Sequence, residues 1–394
     1  MSVHQLEIRQ RIIRGERNWW FLGPGGGVAR LRDHHLTAEG ALRPNAENHL
    51  REGGMYRVPE QRSYALTVLT STDCNLGCGY CFQNIGQDLN GGNRPPRIAH
   101  SRLTTTQITA ILEFTRRQMA ASELAKLHLL LFGGEPLLNP RGCCELLARA
   151  ADYGLASAAM ISNLTLLTPR LARQLSELGL QSVQVTFDGD RSDHDQIRVR
   201  RSHGGTFDTI VSNLVRGTQA APKIRWSLRV NVSHLNYHGI DALVERLGAA
   251  VDTSRCRMHF ARVGDVGVGY ANDLAHSGEL IASFSRWQQR ALELGFTVTR
   301  PGASLPCRTC GFGDGRFGAV VNADGTLASC WETAGKPGWE VGTVTSGYLP
   351  GEDTAPRWIS CEDMYRYSDE GAVSAFKDAV DAALLDFMDA TGRL

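Results

Sequence analysis

Cys74-Asn-Leu-Gly-Cys78-Gly-Tyr-Cys81 follows directly on an apolar, strand-like run, Ala65-Leu-Thr-Val-Leu-Thr70. Three thiols stand at spacings of three and two intervening residues. A [4Fe–4S] cluster ordinarily takes four cysteine ligands. Three close cysteines with no fourth nearby suggest a cluster with one iron left open. An open iron can bind a small molecule and pass it an electron. The competing reading of the same residues is a zinc knuckle. Zinc prefers four ligands, usually as two pairs, and no second pair lies within the next 60 residues.

The 394 residues are 42% hydrophobic and 21% charged, with a formal net charge of +1. That composition is ordinary for a globular chain and gives room for two or three domains. The charge offers no argument for nucleic acid or an acidic membrane surface. The start, Met1-Ser-Val-His-Gln-Leu-Glu-Ile, carries no secretory signal core. No apolar run approaches the roughly 20 residues needed to span a bilayer. The ten cysteines are not spread like a disulfide framework. A reducing, cytoplasmic compartment and no membrane partner are therefore expected.

Outward from the cysteines, short apolar runs alternate with amphipathic stretches. The runs are Ala65–Thr70, Leu127–Phe132, Ala156–Ile161, Ser182–Phe187, Ile224–Val232 and Arg257–Val263. Helical patterns at Thr104–Met119, Cys143–Tyr153, Pro169–Leu178, Thr206–Thr218 and Ile240–Leu247 fall between them. Thr168-Pro169 supplies a cap and a proline at the first helical position. Alternation of this kind predicts parallel strands with crossover helices, an α/β partial (β/α)6 barrel over 63–272. Active sites in such folds lie at the C-terminal ends of the strands, where the cysteine loop falls.

Residues 1–62 read as an N-terminal extension. Its 5–17 stretch looks helical, and Trp19-Trp20 needs a surface to bury it. A partner- or peptide-recognition role is the sharper alternative. A linking helix is expected within 273–299. Over 300–365, cysteines, glycine turns and short strands take over, with Asp324-Gly325 as a hairpin signal. The tail, 366–394, has helical periodicity.

The cysteine loop, with Tyr80 just before its third cysteine, resembles that of the radical S-adenosylmethionine (SAM) enzymes. Three further stretches, in the right order, share the resemblance, which runs from about residue 64 to 361. Phe132-Gly133-Gly134-Glu135-Pro136 resembles the family's GGEP motif, and implies that Glu135 and the backbone at Gly133 and Gly134 hold the SAM amino group. Ile161-Ser162-Asn163 resembles a strand end that faces the ribose, although Leu164 stands where glycine is usual. Thr186-Phe-Asp-Gly189 and His194-Asp195-Gln-Ile-Arg198 resemble the S-x-D-G…H-D-x-x-R signature of peptide-modifying members. Thr186 keeps the hydroxyl, and Arg198 the guanidinium, that the resemblance assigns to the SAM carboxylate. A local Asp195–Arg198 ion pair is the bland alternative. Arg229 and Asn231 share one face of the fifth run, pointing either at SAM or substrate or at a sheet-edge salt bridge.

Cys307, Cys310, Cys330 and Cys361 suit a second Fe–S cluster or a structural zinc. The stretch from Phe317 to Trp331 resembles the auxiliary-cluster domain of the SPASM and twitch subfamilies. Seven cysteines remain beyond the first loop, and two closed auxiliary clusters would need eight. One auxiliary [4Fe–4S] cluster on those four is expected. Cys143, Cys144 and Cys256 read as small buried hydrophobes, with hydrogen-atom donation as their alternative.

The resemblance implies reductive cleavage of SAM to a 5′-deoxyadenosyl radical at Cys74, Cys78 and Cys81. It also implies an electron donor such as flavodoxin or ferredoxin. The expected substrate is a precursor peptide of a ribosomally made natural product, closed by a C–C or C–S cross-link. Alternatives are a twitch-type dehydrogenase of a small alcohol or sugar, a peptide epimerase, and a scaffold that only binds a peptide.

Overall fold

The structure is a computed structural model, and it describes residues 9–58, 63–87, 94–264, 270, 272–303, 314–359 and 370–394. Its centre is a run of six parallel strands: β4 (Ser63–Ser71), β5 (Lys126–Gly133), β6 (Leu155–Ile161), β7 (Leu180–Phe187), β8 (Arg225–Val232) and β9 (Cys256–Arg262). Strand order follows chain order, each strand reaching its parallel neighbour through a helical crossover. The crossovers are α2 (Thr105–Ala121), α3 (Pro140–Ala150), α4 (Pro169–Glu177), α5 (Arg191–Ile197) with α6 (Phe207–Ala220), and α7 (Ile240–Ala250). All six expected strands and all five expected helices are present.

Three of these helices, α2, α3 and α4, begin where a side-chain acceptor meets an orphan amide. Thr104 and Gln107 form a capping box at α2. Asn139 caps α3 ahead of Pro140, and Thr168 caps α4 ahead of Pro169. One core lies between the outward strand faces and these helices, where Val68, Leu129, Met160, Val185, Leu228 and Met258 meet residues such as Ile108, Leu147, Leu214 and Leu247. A second, smaller cluster sits on the other side of the sheet. It joins Leu69 and Phe132 to Val320, Ala328 and Ala334.

The sheet does not stop at six strands. After α8 (Gly278–Glu293), the short β10 (Thr297–Val298) adds parallel to β9. At the other edge β11 (Gly318–Val321) adds parallel to β4. From β11, the strands β12 (Thr326–Ala328), β13 (Glu340–Thr343) and β14 (Gly347–Tyr348) continue as an antiparallel meander. The expected hairpin at Asp324-Gly325 is the β11–β12 turn, with Gly325 at φ +91°. The C-terminal segment therefore extends the barrel wall, giving eleven strands in one sheet among the described residues.

The N-terminal segment departs from expectation. Of the 5–17 stretch expected to be helical, the described part is not: Arg11–Arg14 is β1, followed by β2 (Trp19–Leu22) and β3 (Val28–Leu31) in an antiparallel sheet, then α1 (Pro44–Glu52). Residues 1–8 lie outside the described residues. Consecutive Ile12-Ile13 and Trp19-Trp20-Phe21 favour a pleated surface over a helix. The sheet packs on the C-terminal helix, Glu370–Ala390, where Ile13, Trp20 and Leu22 meet Ala382 and Leu385. Arg11 bonds Asp378 at 3.0 Å and Asp381 at 2.7 Å, and the Trp20 indole donates to Asp386 at 2.9 Å. The two chain ends are stapled to each other. Among the described residues, no helix is long and apolar enough to cross a membrane.

Candidate active site

The cysteine loop leaves the C-terminal end of β4 and is clamped to the segment after α5. Gly77 N donates to Val199 O at 2.9 Å, and Arg201 N to Asn75 O at 2.9 Å. The Arg201 side chain adds a bond to Leu76 O at 3.2 Å. Cys78 is buried, while Cys74 and Cys81 are partly open. Donors already face two of the sulfurs. Leu76 N lies 3.4 Å and Asn163 Nδ2 3.7 Å from Cys74 Sγ, and Arg97 Nη1 lies 3.5 Å from Cys81 Sγ. Burial pushes the Cys74 thiol up to about 11 and the Cys78 thiol to about 12, with Arg97 and Arg198 respectively opposing the shift. Metal binding has to displace those protons, and a coordinating metal does so. Among the described residues no three His, Cys, Asp or Glu side chains converge on one ion position. A single zinc needs its sulfurs about 2.3 Å from one point. A cluster instead assigns each cysteine its own iron. The donor set and the sulfur-facing hydrogen bonds therefore suit a cluster better than a zinc.

Gly133-Gly134 ends β5 against this loop. A Cβ at Gly133 would stand 2.2 Å from Ser71 O, and one at Gly134 2.2 Å from Asp73 O. Gly133 also has φ +132°, which side chains rarely adopt. Glycine is required here so that two backbones can touch. Glu135 is fully buried. Its carboxylate accepts from Leu137 N at 2.9 Å, Ser162 Oγ at 2.8 Å and Asn163 N at 2.6 Å. Burial raises its pKa, and those three donors oppose the rise. Through these three bonds the carboxylate ties the end of β5 to the end of β6.

Ser162 and Asn163 are buried at the end of β6. Ser162 Oγ also accepts from Leu164 N at 2.9 Å, and Asn163 bonds Asn75 at 2.8 Å besides its contact with Cys74. Leu164 has φ +65°, the left-handed region. The glycine usual at this place in the family now has a physical reason, and this chain has put a fully buried leucine there.

Within the cysteine loop, Tyr80 is the hub of a network that reaches the ends of β7 and β8. Its hydroxyl donates to Asp188 Oδ2 at 2.8 Å and accepts from Arg198 Nη1 at 2.8 Å and Asn231 Nδ2 at 3.1 Å. Arg198 also pairs with Asp188 at 3.3 Å. Its Nε is buried and, among the described residues, has no hydrogen-bond partner. Asp195 does not pair with Arg198. It caps α6 through Thr206 N at 2.7 Å and Phe207 N at 2.8 Å. His194 accepts from Asp188 N at 3.3 Å, and its other nitrogen meets Thr206 Oγ1 at 3.1 Å. Burial, then the Arg198 charge, hold its pKa well below the usual range, so it is a neutral strut. Thr186 lies half-buried two residues before Asp188. β8 is an internal strand, and Arg229 bonds Asn231 at 2.8 Å instead of a sheet-edge carboxylate.

Cys330 is buried; Cys307, Cys310 and Cys361 lie outside the described residues. Phe82, next to Cys81, stacks on Phe132 with centroids 5.8 Å apart, and Trp331, next to Cys330, lies 5.7 Å from Phe132. An aromatic wall thus joins the two cysteine regions. Cys143 is buried under the loop, 3.3 Å from Pro136 O, and Cys256 lies in the outer core. Sequence reading missed Arg97 and gave Asp188 no role of its own. Arg97 follows Pro95-Pro96 at no motif spacing, and only the fold returns it to Cys81.

Residues 68–247 match the Radical SAM superfamily. Among curated relatives, the Fe-coproporphyrin III synthase of Methanosarcina barkeri is 23% identical over 60% of this chain and 54% of its own length. The GTP 3′,8-cyclase of Geobacter sulfurreducens is 31% identical over 32% of this chain and 34% of its own. The chain thus spans about half, or less, of the curated relatives it matches. Among solved structures, anSMEcpe with bound AdoMet covers 84% of this chain and 100% of its own, at TM-score 0.56 and 13% identity. Streptococcus suis SuiB bound to SAM covers 90% and 89%, at TM-score 0.51 and 11% identity. With the cysteine loop, the GGEP turn and the parallel barrel in place, this chain carries the radical SAM domain, whose family works with a [4Fe–4S] cluster and SAM.

Proposed function

We propose that this chain takes a hydrogen atom from a peptide substrate and closes a C–C or C–S cross-link in a ribosomally made natural product. The observation that carries the reading is the juxtaposition at the barrel mouth. Three cysteines, two of them with sulfur-facing donors, share their loop with Tyr80, the hub of a buried network with Asp188, Arg198 and Asn231. Cys74, Cys78 and Cys81 would hold the cluster. Cluster and SAM together supply an electron and a 5′-deoxyadenosyl radical. The chain supplies orientation and exclusion of water. Arg198, with its spare Nε, and the Thr186 hydroxyl would face the SAM carboxylate. Asn231 and Tyr80 fix that guanidinium. The backbone at Gly133 and Gly134 would take the amino group, while Glu135, Ser162 and Asn163 hold the loop that carries Cys74.

Closing a cross-link removes two hydrogens. One leaves as an atom, giving 5′-deoxyadenosine. The other leaves as a proton and an electron. For that electron we propose an auxiliary [4Fe–4S] cluster on Cys307, Cys310, Cys330 and Cys361, and for the priming electron a flavodoxin or ferredoxin. Support for a peptide comes from the fold likeness to anSMEcpe, which includes a complex with AdoMet and the Cp18Cys peptide at TM-score 0.56. The N-terminal sheet, stapled to the C-terminal helix, is a second surface on which such a chain would rest. A small-molecule substrate is the second reading, favoured by the names of the curated relatives. Epimerisation has less support, because Cys143 and Cys256 are buried in the core between strands and helices and the partly exposed Cys144 packs against that same core.

The test is anaerobic reconstitution, followed by reaction with SAM, reductant and a precursor peptide encoded beside this chain. About eight irons per chain, falling to about four in the Cys74/Cys78/Cys81→Ala variant, are expected for two clusters. The peptide is expected to lose two hydrogens per 5′-deoxyadenosine formed. SAM cleavage with an unchanged peptide would remove the peptide reading.

A further inference from the structure

The six barrel strands, β4 to β9, contain no aspartate or glutamate. They do contain arginines, and the register places three on one face. Ser182 pairs with Arg225, Thr186 with Arg229, Ser227 with Arg257, and Arg229 with His259. In parallel sheets, paired residues share a face. That face carries Asn231 toward Tyr80, so it is the lumen face. Continuing the register from Val298–Met258, Thr299 joins the row and meets His259 Nδ1 at 3.2 Å. One row thus reads Thr186, Arg229, His259, Thr299, just below the barrel mouth. The row beneath, about 7 Å deeper at two residues of strand rise, reads Gln184, Ser227, Arg257, Thr297.

This wall stands opposite a different one. The β4, β5 and β11 side of the lumen carries Leu69, Phe132 and Val320, with Phe82 and Trp331. One side is apolar and aromatic, the other cationic. At the foot of the cationic side, where the strands begin, is a cavity of about 560 Å³ lined by Arg225, Ser227, Arg257 and Thr297 together with Lys223 and Arg255; Arg229 lies one row above it. Among the described residues, no carboxylate pairs with Arg229 or with Arg257. Arg229, half-buried on this face, donates its Nε to Asn231 Oδ1 at 2.8 Å, and Arg257, on the same face, is exposed. Burial, then the charges of Arg229 and Arg257, push His259 down to about 4, so it stays a neutral hydrogen-bonding group beside them.

We infer that Arg229 and Arg257 form a carboxylate-binding subsite on the lumen wall, below the SAM position, which selects a substrate carrying an acidic group close to the residue being modified. The planar guanidinium fork matches a carboxylate, Thr299 and neutral His259 complete the hydrogen bonding, and the aromatic wall opposite takes the apolar part of the same substrate. The identity of that substrate as a peptide rests on the function proposed above; the carboxylate subsite does not.

Two measurements separate them. The first uses glutarate as probe and follows thermal unfolding of the reconstituted protein. Glutarate is expected to raise the melting temperature of the parent, and the rise is expected to vanish in Arg229→Gln and shrink in Arg257→Gln, which leaves Asn231 untouched. No rise in the parent, or an equal rise in both variants, overturns the subsite. The second uses the precursor peptide and its variant with the nearby acidic residue changed to its amide. Arg257→Gln is expected to raise KM for the parent peptide at least tenfold without a matching fall in kcat. It is expected to leave the amide peptide, already weak, unchanged. Equal losses on both peptides overturn the selectivity. Arginine-dependent glutarate binding with no peptide modified keeps the subsite and removes the peptide reading.

Discussion

The Tyr80 hydroxyl and the Asp188 carboxylate meet at 2.8 Å, tying the aromatic residue of the cysteine loop to the end of the fourth barrel strand. Burial raises the pKa of Asp188, while Arg198 and Tyr80 oppose the rise. Removing the acid strands a buried guanidinium. Asp188→Ala is expected to cost about 3–5 kcal/mol, the range for breaking a buried pair. Tyr80→Phe loses only hydrogen bonds to charged groups, about 1.5–3 kcal/mol. Denaturant unfolding checks the order, and weaker SAM binding by calorimetry is expected in both. A harmless Asp188→Ala would show that the network does not hold the site.

Leu164 gives an unusual ordering. Its φ of +65° is strained, at about 1–3 kcal/mol for a non-glycine residue, yet its side chain is fully buried. Leu164→Ala keeps the strain and loses the packing, about 2–5 kcal/mol. Leu164→Gly loses the packing but relieves the strain. Glycine is therefore expected to be less damaging than alanine by about 1 kcal/mol, in urea midpoints at a common m-value. Alanine milder than glycine would contradict the strained backbone.

Gly134→Ala places a methyl group against Asp73 O. The backbone next to Cys74 has to move. Iron per chain after reconstitution is expected to fall by at least half, with a stability loss of about 1–3 kcal/mol from overpacking. Full iron loading in this variant would mean that the two backbones separate freely.

His194 sets a pH dependence. Its folded pKa is held well below 6.5, so the unfolded chain binds the proton first. The stability from the neutral ring is complete above about pH 6.5 and declines as pH falls below it, by about 1.4 kcal/mol per pH unit. Glu135 and Asp188, whose pKa values are raised, act in the opposite sense. The informative quantity is therefore the difference between the parent and His194→Gln. That difference is expected to shrink between pH 7 and 5.5. A constant difference would indicate that His194 titrates normally.

The alternation of apolar runs and amphipathic stretches was enough for the barrel, because strand and helix periods are local properties of the chain. The places of the cysteine loop at the end of β4 and of Gly133-Gly134 packed against it were likewise legible, since both follow directly on apolar strand runs. What spacing does not carry is which distant residues meet. Arg97 returns to Cys81, Asp188 rather than Asp195 takes Arg198, and Glu135 closes on Ser162 and Asn163. The N-terminal segment misled for a related reason. Its charged residues mimic an exposed helix, but Arg11 points at Asp378 and Asp381, and its strands bury Trp20 on the far end of the chain. Periodicity determines the elements and short motifs determine the cysteine chemistry. The pairing of buried charges, and the sorting of the lumen into an apolar and a cationic wall, are decided only when strands far apart in sequence are set side by side in one register.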